Sequence, residues 1–376
     1  MTTLRGITWE HPRGYDCVVG AAKAYAERVP DVDVQWDFRS LQAFADAPLA
    51  QLSAAYDLLV IDHPHVPLAA EAGLLAVLDG VGFDDQLARL AAQTVGASHA
   101  SYGYRGHQYG LASDAAAQVA VYRPDLLPEP PRTWEAVLEL AAAGRVLWPA
   151  KPVDAFSSLV TLAAHAGAPA NAESGTFLSD DDALSALDLM HRLTALVPER
   201  NLADNPIQVA ELLSTTDEWS YAPLLFGYTN YSRAGFRPRR LRYIDMPTRG
   251  SGVAGSLLGG AGIAVSAAAV DLDAARAFAF WLAGEEAQRG TYFDDGGQPG
   301  NAAAWTDPRL NDATWDFFRG TRATLEGAYV RPRLPGYIEF QDTAAPLVNA
   351  TLRGELTDEQ LLRSLAGLAE QLLVHL

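Results

Sequence analysis

A short apolar run, Leu58-Leu59-Val60-Ile61, constrains the fold more than any other stretch of the sequence. Four residues are too few for an independent helix, and an apolar side chain at every position leaves no face for water. The run therefore predicts a strand that is buried on both faces, as strands are in parallel sheets covered by helices.

The chain from its start to Ile61 alternates between strand and helix patterns. Three strands are predicted at Leu4–Trp9, Val32–Trp36 and Tyr56–Ile61, and two helices lie between them at Tyr15–Val29 and Leu41–Ala55. A short helix is also expected at Glu71–Leu78. Strands and helices in strict alternation are typical of a doubly wound α/β sheet. A chain of 376 residues is long enough for two such lobes.

The composition excludes several classes of protein. A formal net charge of −18 argues against binding nucleic acid or an anionic membrane surface, because both select clustered Lys and Arg. Cys17 is the only cysteine, so an internal disulfide is excluded, and its helical surroundings predict a core thiol. No apolar run approaches the roughly 18 residues of a membrane span. With no secretion signal visible, the sequence as it stands predicts a cytoplasmic protein, or a periplasmic or extracellular one if a signal has been removed.

Polar residues follow two of the predicted strands directly. The loop after the first strand carries Trp9, Glu10, His11 and Arg13, and the loop after the third carries Asp62, His63 and His65. In open α/β sheets ligands bind beyond the carboxyl ends of strands, so both loops are candidate binding loops. Because Pro64 pushes the residue before it out of the helical region, His63 is expected to be extended, on the same side as His65. The alternative interpretation is that Asp62 caps the next helix and the histidines are solvated.

Three further stretches contain candidate functional residues. Aromatic and amide side chains cluster between positions 218 and 232, at Trp219, Tyr221, Tyr228, Asn230 and Tyr231. Ser113 and Asp114 lie among small residues, which suits a connection between lobes. The glycine-rich segment 250–266, which includes Gly259 and Gly260, lacks the Lys-Ser/Thr ending of a phosphate-binding loop. It predicts a close backbone approach instead, to a ligand or at a crossing between lobes.

Five stretches, in this order, resemble family 1 of the extracellular solute-binding proteins, the receptors of ABC importers. They are YGLASDAAAQVAVYRPDLL (109–127), YAPLLFGYTNYS (221–232), GSLLGGAGIAVSAAA (255–269), GGQPGNAAAW (296–305) and RPRLPGYIEFQDTAAPLVNATLRGELTDEQ (331–360). Each is weakly specific alone, but together they extend over most of the chain. The resemblance implies a periplasmic-binding-protein-like fold of type II. That fold has two doubly wound α/β lobes joined by crossing hinge strands, with the ligand enclosed in the cleft between them by hinge closure.

The resemblance also implies a division of the chain and a set of contact residues. The first lobe would comprise positions 1–112 and 258–310, and the second lobe would comprise positions 113–257 and 311–376. The residues that would bind the ligand are Trp9, Glu10, His11, Arg13, Asp62, His63, His65, Ser113, Asp114, Trp219, Tyr221, Tyr228, Asn230, Gly259 and Gly260. Flat aromatic faces would contact the ligand, while His, Asp and Asn side chains would orient its polar groups.

Three functions remain open from the sequence. The first is a binding protein for a sugar, a polyol or a small organic acid, with an ABC permease as partner if it is exported. Protonatable histidines and Arg13 would favour an anionic ligand. The second is a cytoplasmic enzyme or metal-binding protein on the same fold, in which His11, His63, His65 and Asp62 would hold zinc or non-haem iron. No cofactor is assured, and iron and zinc are the candidates. The third is a cytoplasmic sensor or ligand-carrying module.

Overall fold

The structure is a computed structural model that describes residues 1–40, 48–171, 177–249 and 252–373. The chain divides into two compact units. Unit 1 comprises Met1–Ala115 and Gly259–Asp312, and unit 2 comprises Ala116–Leu258 and Ala313–Leu376. The unit boundaries therefore lie at 115/116, 258/259 and 312/313, whereas the resemblance implies boundaries at 112/113, 257/258 and 310/311.

The strands and helices of the described chain are numbered along the sequence. The strands are β1 (Thr2–Trp9), β2 (Val32–Arg39), β3 (Leu58–Ile61), β4 (Gly103–Tyr104), β5 (His107–Gln108), β6 (Leu111–Ala112), β7 (Ala116–Tyr122), β8 (Tyr221–Phe226), β9 (Arg242–Ile244), β10 (Leu258–Gly259) and β11 (Gly262–Val265). The helices are α1 (Asp16–Arg28), α2 (Leu49–Ala55), α3 (Val66–Glu71), α4 (Asp84–Ala92), α5 (Trp134–Ala142), α6 (Pro152–His165), α7 (Asp180–Thr194), α8 (Pro206–Thr215), α9 (Leu272–Ala283), α10 (Glu285–Arg289), α11 (Thr291–Asp294), α12 (Ala302–Thr306), α13 (Pro308–Ala313), α14 (Phe317–Glu326), α15 (Tyr337–Leu352) and α16 (Asp358–Leu372). Short 3-10 helices lie at His63–His65, Ala100–Tyr102, Glu199–Leu202 and Thr229–Ser232.

Unit 1 is built on a sheet whose described strands follow the order β2-β1-β3-β11-β6. β1 pairs in parallel with both β2 and β3, as the alternating pattern up to Ile61 predicts. β11 returns from the second segment of the unit and pairs antiparallel with β3 and with β6. The central part of this sheet therefore combines strands that come from opposite ends of the unit's sequence, with all of the first segment of unit 2 between them.

The run Leu58–Ile61 is buried on both faces of this sheet. Leu58 and Val60 pack in one core cluster, together with residues of α1 and α9. Leu59 and Ile61 point to the other face and pack in a second cluster with α3 and Tyr102. Successive side chains of a strand point to opposite faces, so a run with no polar position needs a hydrophobic layer on each side. The sheet therefore holds β3 rigidly, and with it the loop that follows.

Unit 2 has its own core around helices α5, α6, α7 and α15. Its described strands follow the order β10-β7-β8, with β9 also paired to β7. β7 is antiparallel to β8 and β9, whereas a doubly wound pattern predicts parallel neighbours. Isolated parallel bridges, such as Val146 with Tyr221, extend this sheet.

Two predicted helices differ from the observed ones. Of the predicted helix Leu41–Ala55, the structure describes α2 from Leu49, and positions 41–47 lie outside the described part. The predicted helix Glu71–Leu78 is wrong, because α3 ends at Glu71. Gly73 adopts a left-handed backbone with φ of 64°, which stops the helix, and Leu75 then forms a β-bridge with Ser266.

Candidate ligand-binding site

Four predicted segments converge on one edge of the unit 1 sheet. β1 and β3 are parallel, so the loops after Trp9 and Ile61 both leave the sheet at this edge. β6 runs parallel to β3, because both pair antiparallel with β11, and Ser113-Asp114 therefore also leave the sheet there. Gly262 pairs with Ile61 and Ala112, which places the entry into β11, just after Gly259 and Gly260, beside the other three segments.

A bidentate ion pair joins two of these segments. The Arg13 guanidinium donates through Nε to Asp114 Oδ2 at 2.7 Å and through Nη2 to Asp114 Oδ1 at 2.6 Å. Arg13 is only 4 % exposed and Asp114 only 1 %, so both charges are withdrawn from water. Burial raises the pKa of the Asp114 carboxyl, and the neighbouring guanidinium opposes that rise. Arg13 is therefore paired within the protein, and the expectation that its charge favours an anionic ligand stays a prediction.

The backbone around Asp114 is held by close contacts. The N–H groups of Ser113 and Asp114 both donate to Ala261 O, at 3.2 and 2.8 Å. Gly260 has φ of +100°, and a Cβ added there would lie 2.5 Å from Asp114 O. A residue with a side chain is excluded on both grounds. The predicted close backbone approach in the glycine-rich segment is thus an approach to the backbone of Asp114, between β6 and β7.

Cys17 lies behind the ion pair. Its Sγ donates to Arg13 O at 3.0 Å, and the thiol is fully buried beside Tyr292. Burial raises the pKa of Cys17, so the thiol remains protonated and able to donate. The side chain is a core thiol that supports the backbone of Arg13, as predicted.

The histidines are arranged differently from the prediction. His63, Pro64 and His65 form one turn of 3-10 helix, so His63 is not extended. Proline is tolerated in a first helical turn, because its missing N–H has no partner to lose there. Asp62 caps this turn by accepting from His63 N at 2.9 Å, which is the alternative that the sequence leaves open. The His63 ring is buried, with Nδ1 at 3.3 Å from Asp62 Oδ1 and its edge against Tyr102.

The structure does not bring His11, His63, His65 and Asp62 together as metal ligands. Among the residues it describes, no group of three or more His, Cys, Asp and Glu side chains could hold a metal ion. His11 is engaged locally, since its Nδ1 accepts from Arg13 N at 3.0 Å. His63 is turned into the core beside Tyr102. Within the described residues these four side chains therefore do not form the predicted iron or zinc site.

The remaining candidates lie in unit 2 around β8. Tyr221 is fully buried in the unit 2 core and donates through its hydroxyl to Pro131 O at 3.3 Å, so its side chain is part of that core. Trp219 precedes β8, and Tyr228 and Asn230 lie at the 3-10 turn that follows it; all three are buried. The turn is braced by Tyr231, whose hydroxyl donates to Glu211 Oε1 at 2.7 Å.

Sequence reasoning missed two aromatic residues at the edge of the unit 1 sheet. β2 continues past Trp36 to Arg39, and Phe38 near its end is 49 % exposed. Its ring contacts Tyr15 edge to face, with centroids 4.8 Å apart. The signal was present in the sequence, because Phe38 continues the apolar positions Val32, Val34 and Trp36 with the period of a strand.

The fold is of the α/β class, with several loops converging at one edge of the unit 1 sheet. Maltose-bound MalE3 of T. maritima matches 98 % of this chain and 99 % of its own, with a TM-score of 0.83 and 18 % identity. A solute-binding protein of Agrobacterium radiobacter K84 in complex with ribitol matches 99 % and 98 %, with a TM-score of 0.81 and 21 % identity. These similarities confirm the predicted fold class, periplasmic-binding-protein-like of type II.

Sequence comparison then identifies the family. The model for bacterial extracellular solute-binding proteins matches residues 20–314, and the chain belongs to that family. A maltotriose-binding protein of Pyrococcus abyssi (strain GE5 / Orsay) is 27 % identical over 136 residues, which are 36 % of this chain and 29 % of that protein. The resemblance drawn from the five stretches is confirmed, and membership of the family implies a small-molecule ligand.

In the described part of the chain, no helix combines the length and the apolar character that crossing a bilayer requires.

Proposed function

We propose that this chain binds a neutral sugar or polyol. The observation that carries the proposal is the buried pair of Arg13 and Asp114 at the carboxyl edge of the unit 1 sheet. The guanidinium and the carboxylate bind each other bidentately, so the pair adds no net charge to this edge of the sheet. A ligand rich in hydroxyl groups needs no net charge in its site. A carboxylate ligand would find Arg13 already paired with Asp114.

The similar proteins support the same class of ligand. Two of the structures that match nearly the whole chain hold maltose and ribitol, and the relative from Pyrococcus abyssi is named for maltotriose. These ligands are uncharged and rich in hydroxyl groups. A net charge of −18 adds a long-range field that disfavours anions. A small organic acid, the other ligand class that the sequence left open, is disfavoured by the pairing of Arg13 with Asp114 and by the overall charge.

The test compares ligands that differ only in charge. Thermal unfolding is measured with maltose, maltotriose, ribitol and mannitol, and with ribonate and mannonate, which keep the hydroxyl chain but carry a carboxylate. A ligand at 100 times its Kd stabilises the folded state by about 2.7 kcal/mol, which corresponds to several degrees in Tm for a chain of this size. At least one neutral compound should give such a shift, and the acids should give none. Equal or larger shifts with the acids, or no shift with any neutral compound, would overturn the proposal.

We further propose that the protein acts outside the cytoplasm and delivers its ligand to an ABC permease. The support is its membership of an extracellular solute-binding family. Fractionation of the native cells should find the protein outside the cytoplasmic membrane, and deletion of its gene should abolish high-affinity uptake of the ligand found in the thermal screen. A protein confined to the cytoplasm, with uptake unchanged by the deletion, would contradict this assignment.

A further inference from the structure

The carboxyl end of β2 presents an aromatic side chain where the core of unit 1 stops. Val32, Val34 and Trp36 are buried on the core-facing side of β2, and Phe38 continues that side with the period of a strand. Phe38 is nevertheless 49 % exposed. A single exposed apolar residue is common on a protein surface, so the position of this ring and the contacts that hold it are what distinguish it.

This exposed ring belongs to the same sheet edge as the candidate binding loops. In the parallel register of β1 and β2, Phe38 is opposite Thr8 and Arg39 is opposite Trp9. Arg39 O accepts from Glu10 N at 2.8 Å, which ties the end of β2 to the loop that leads to Arg13. Phe38 therefore extends the candidate site along the sheet edge, and its position is fixed by backbone hydrogen bonds.

Tyr15 holds the orientation of the Phe38 ring. The two centroids are 4.8 Å apart with an interplanar angle of 69°, which is an edge-to-face contact. Tyr15 is itself anchored where α1 begins, because its N–H donates to His11 O at 2.7 Å. An exposed aromatic ring that is held by a second ring loses little conformational entropy when a flat ligand packs on it.

We propose that Phe38, supported by Tyr15, is a specificity-determining residue that packs against a sugar ring. The proposal rests on the function proposed above and deepens it, because it separates cyclic sugars from open-chain polyols. A pyranose presents a flat set of C–H groups that covers an aromatic face, whereas an acyclic polyol presents no comparable flat surface. The chain should therefore prefer ring sugars, and the preference should depend on Phe38.

The experiment measures Kd by isothermal titration calorimetry for maltose and maltotriose, and for ribitol and mannitol, in wild type and variants. The variants are Phe38→Ala, Phe38→Leu and Phe38→Trp, with Val270→Ala as matched control. Val270 is also an exposed apolar residue, 76 % exposed, and its N–H bonds to Asp57, so it lies at the opposite edge of the sheet. Circular dichroism verifies folding, and the Leu variant preserves apolar bulk if the Ala variant is unstable.

Phe38→Ala and Phe38→Leu should weaken binding of the ring sugars about tenfold or more, and affinity for the polyols should stay within about threefold. Phe38→Trp should retain affinity for ring sugars, and Val270→Ala should match wild type. The proposal is overturned if the Ala and Leu variants bind ring sugars within twofold of wild type, if both ligand classes weaken equally, or if wild type binds polyols but no ring sugar. A wild type that binds neither class contradicts the proposed function itself, and this assignment falls with it.

Discussion

Asp154 makes the stability of this protein depend on pH in an unusual direction. It lies in the first turn of α6 in unit 2 and is 4 % exposed. Burial raises the pKa of its carboxyl from the ordinary value of 3.8 to about 8, and the charge of Lys151 opposes that rise. The N-terminus of the helix also favours the carboxylate, by about 0.3–1 kcal/mol, which is less than one pKa unit. Burial therefore decides the direction.

The magnitude follows from proton linkage. Between pH 5 and pH 7 the folded state keeps the Asp154 proton, while the unfolded state has already lost it. The folded state then binds more protons, so stability falls as pH rises, and the fall ends above the folded pKa near 8. Each pH unit in this window costs about 1.4 kcal/mol, so two units cost about 2.7 kcal/mol.

The perturbation is Asp154→Asn, which keeps the shape and removes the titration. Urea denaturation followed by far-UV circular dichroism gives the free energy of unfolding at pH 5, 6, 7, 8 and 9. The Asn amide changes the free energy of unfolding by an amount that does not depend on pH. The measured quantity is therefore how the difference in free energy of unfolding between variant and wild type changes with pH. The variant should gain about 2–3 kcal/mol relative to wild type from pH 5 to pH 7, and little more above pH 8.

The control is Asp181→Asn, at an exposed carboxylate in the first turn of α7. The difference in free energy of unfolding between this variant and wild type should change by less than about 0.5 kcal/mol from pH 5 to pH 9. If Asp154→Asn and wild type instead give parallel stability curves from pH 5 to pH 9, Asp154 is ionised in the folded state. Burial would then not decide the protonation state of Asp154.

Three further predictions concern unit 1. Arg13→Gln and Asp114→Asn should each lower the free energy of unfolding by about 3–5 kcal/mol, because each leaves the partner's buried charge unpaired. The double variant should lose well below the sum of the two single losses. Additive losses in urea denaturation would refute the coupling of the two residues. Gly260→Ala should lower the free energy of unfolding by at least about 2 kcal/mol, because φ is +100° and the new Cβ would lie 2.5 Å from Asp114 O. Gly367→Ala, in the open middle of α16, should instead raise it by about 0.5–1 kcal/mol. Similar effects of the two substitutions would contradict the geometry. Cys17, buried and with a raised pKa, should react with a thiol reagent only after unfolding, so rapid labelling of the native protein would be inconsistent with its position.

The parts of the fold that follow from local pattern were predictable. Leu58–Ile61 could satisfy four apolar side chains only between two hydrophobic layers, and the structure supplies both. The placement of the candidate binding loops at the same edge, after β1 and β3, follows from parallel pairing alone. The early end of α3 was missed because the helical pattern continues past Gly73, whose left-handed backbone is decided by the return of the chain to Ser266.

The chemistry of the site was less predictable because it depends on contacts between distant residues. Arg13 and Asp114 are 101 positions apart, and no local signal says that one neutralises the other. His63 and His65 suggested metal ligands by residue type, but the cap by Asp62 and the contact with Tyr102 decide where His63 lies. Tyr221 was taken for a ligand contact because its neighbours are polar-tipped aromatics, whereas strand β8 places it in the core.

The insertion of β11 between β3 and β6 has a consequence for biosynthesis. When the ribosome has passed Ala112, both outer partners of this strand exist, but the strand between them is still unsynthesised. Gly262–Val265 emerges roughly 200 residues after β3, a delay of roughly 10–40 s at about 5–20 residues per second. During that interval β3 and β6 present open hydrogen-bonding edges to other chains. A nascent chain arrested before Gly262 should therefore recruit chaperones or aggregate, whereas one arrested after the whole of unit 1 has emerged should not.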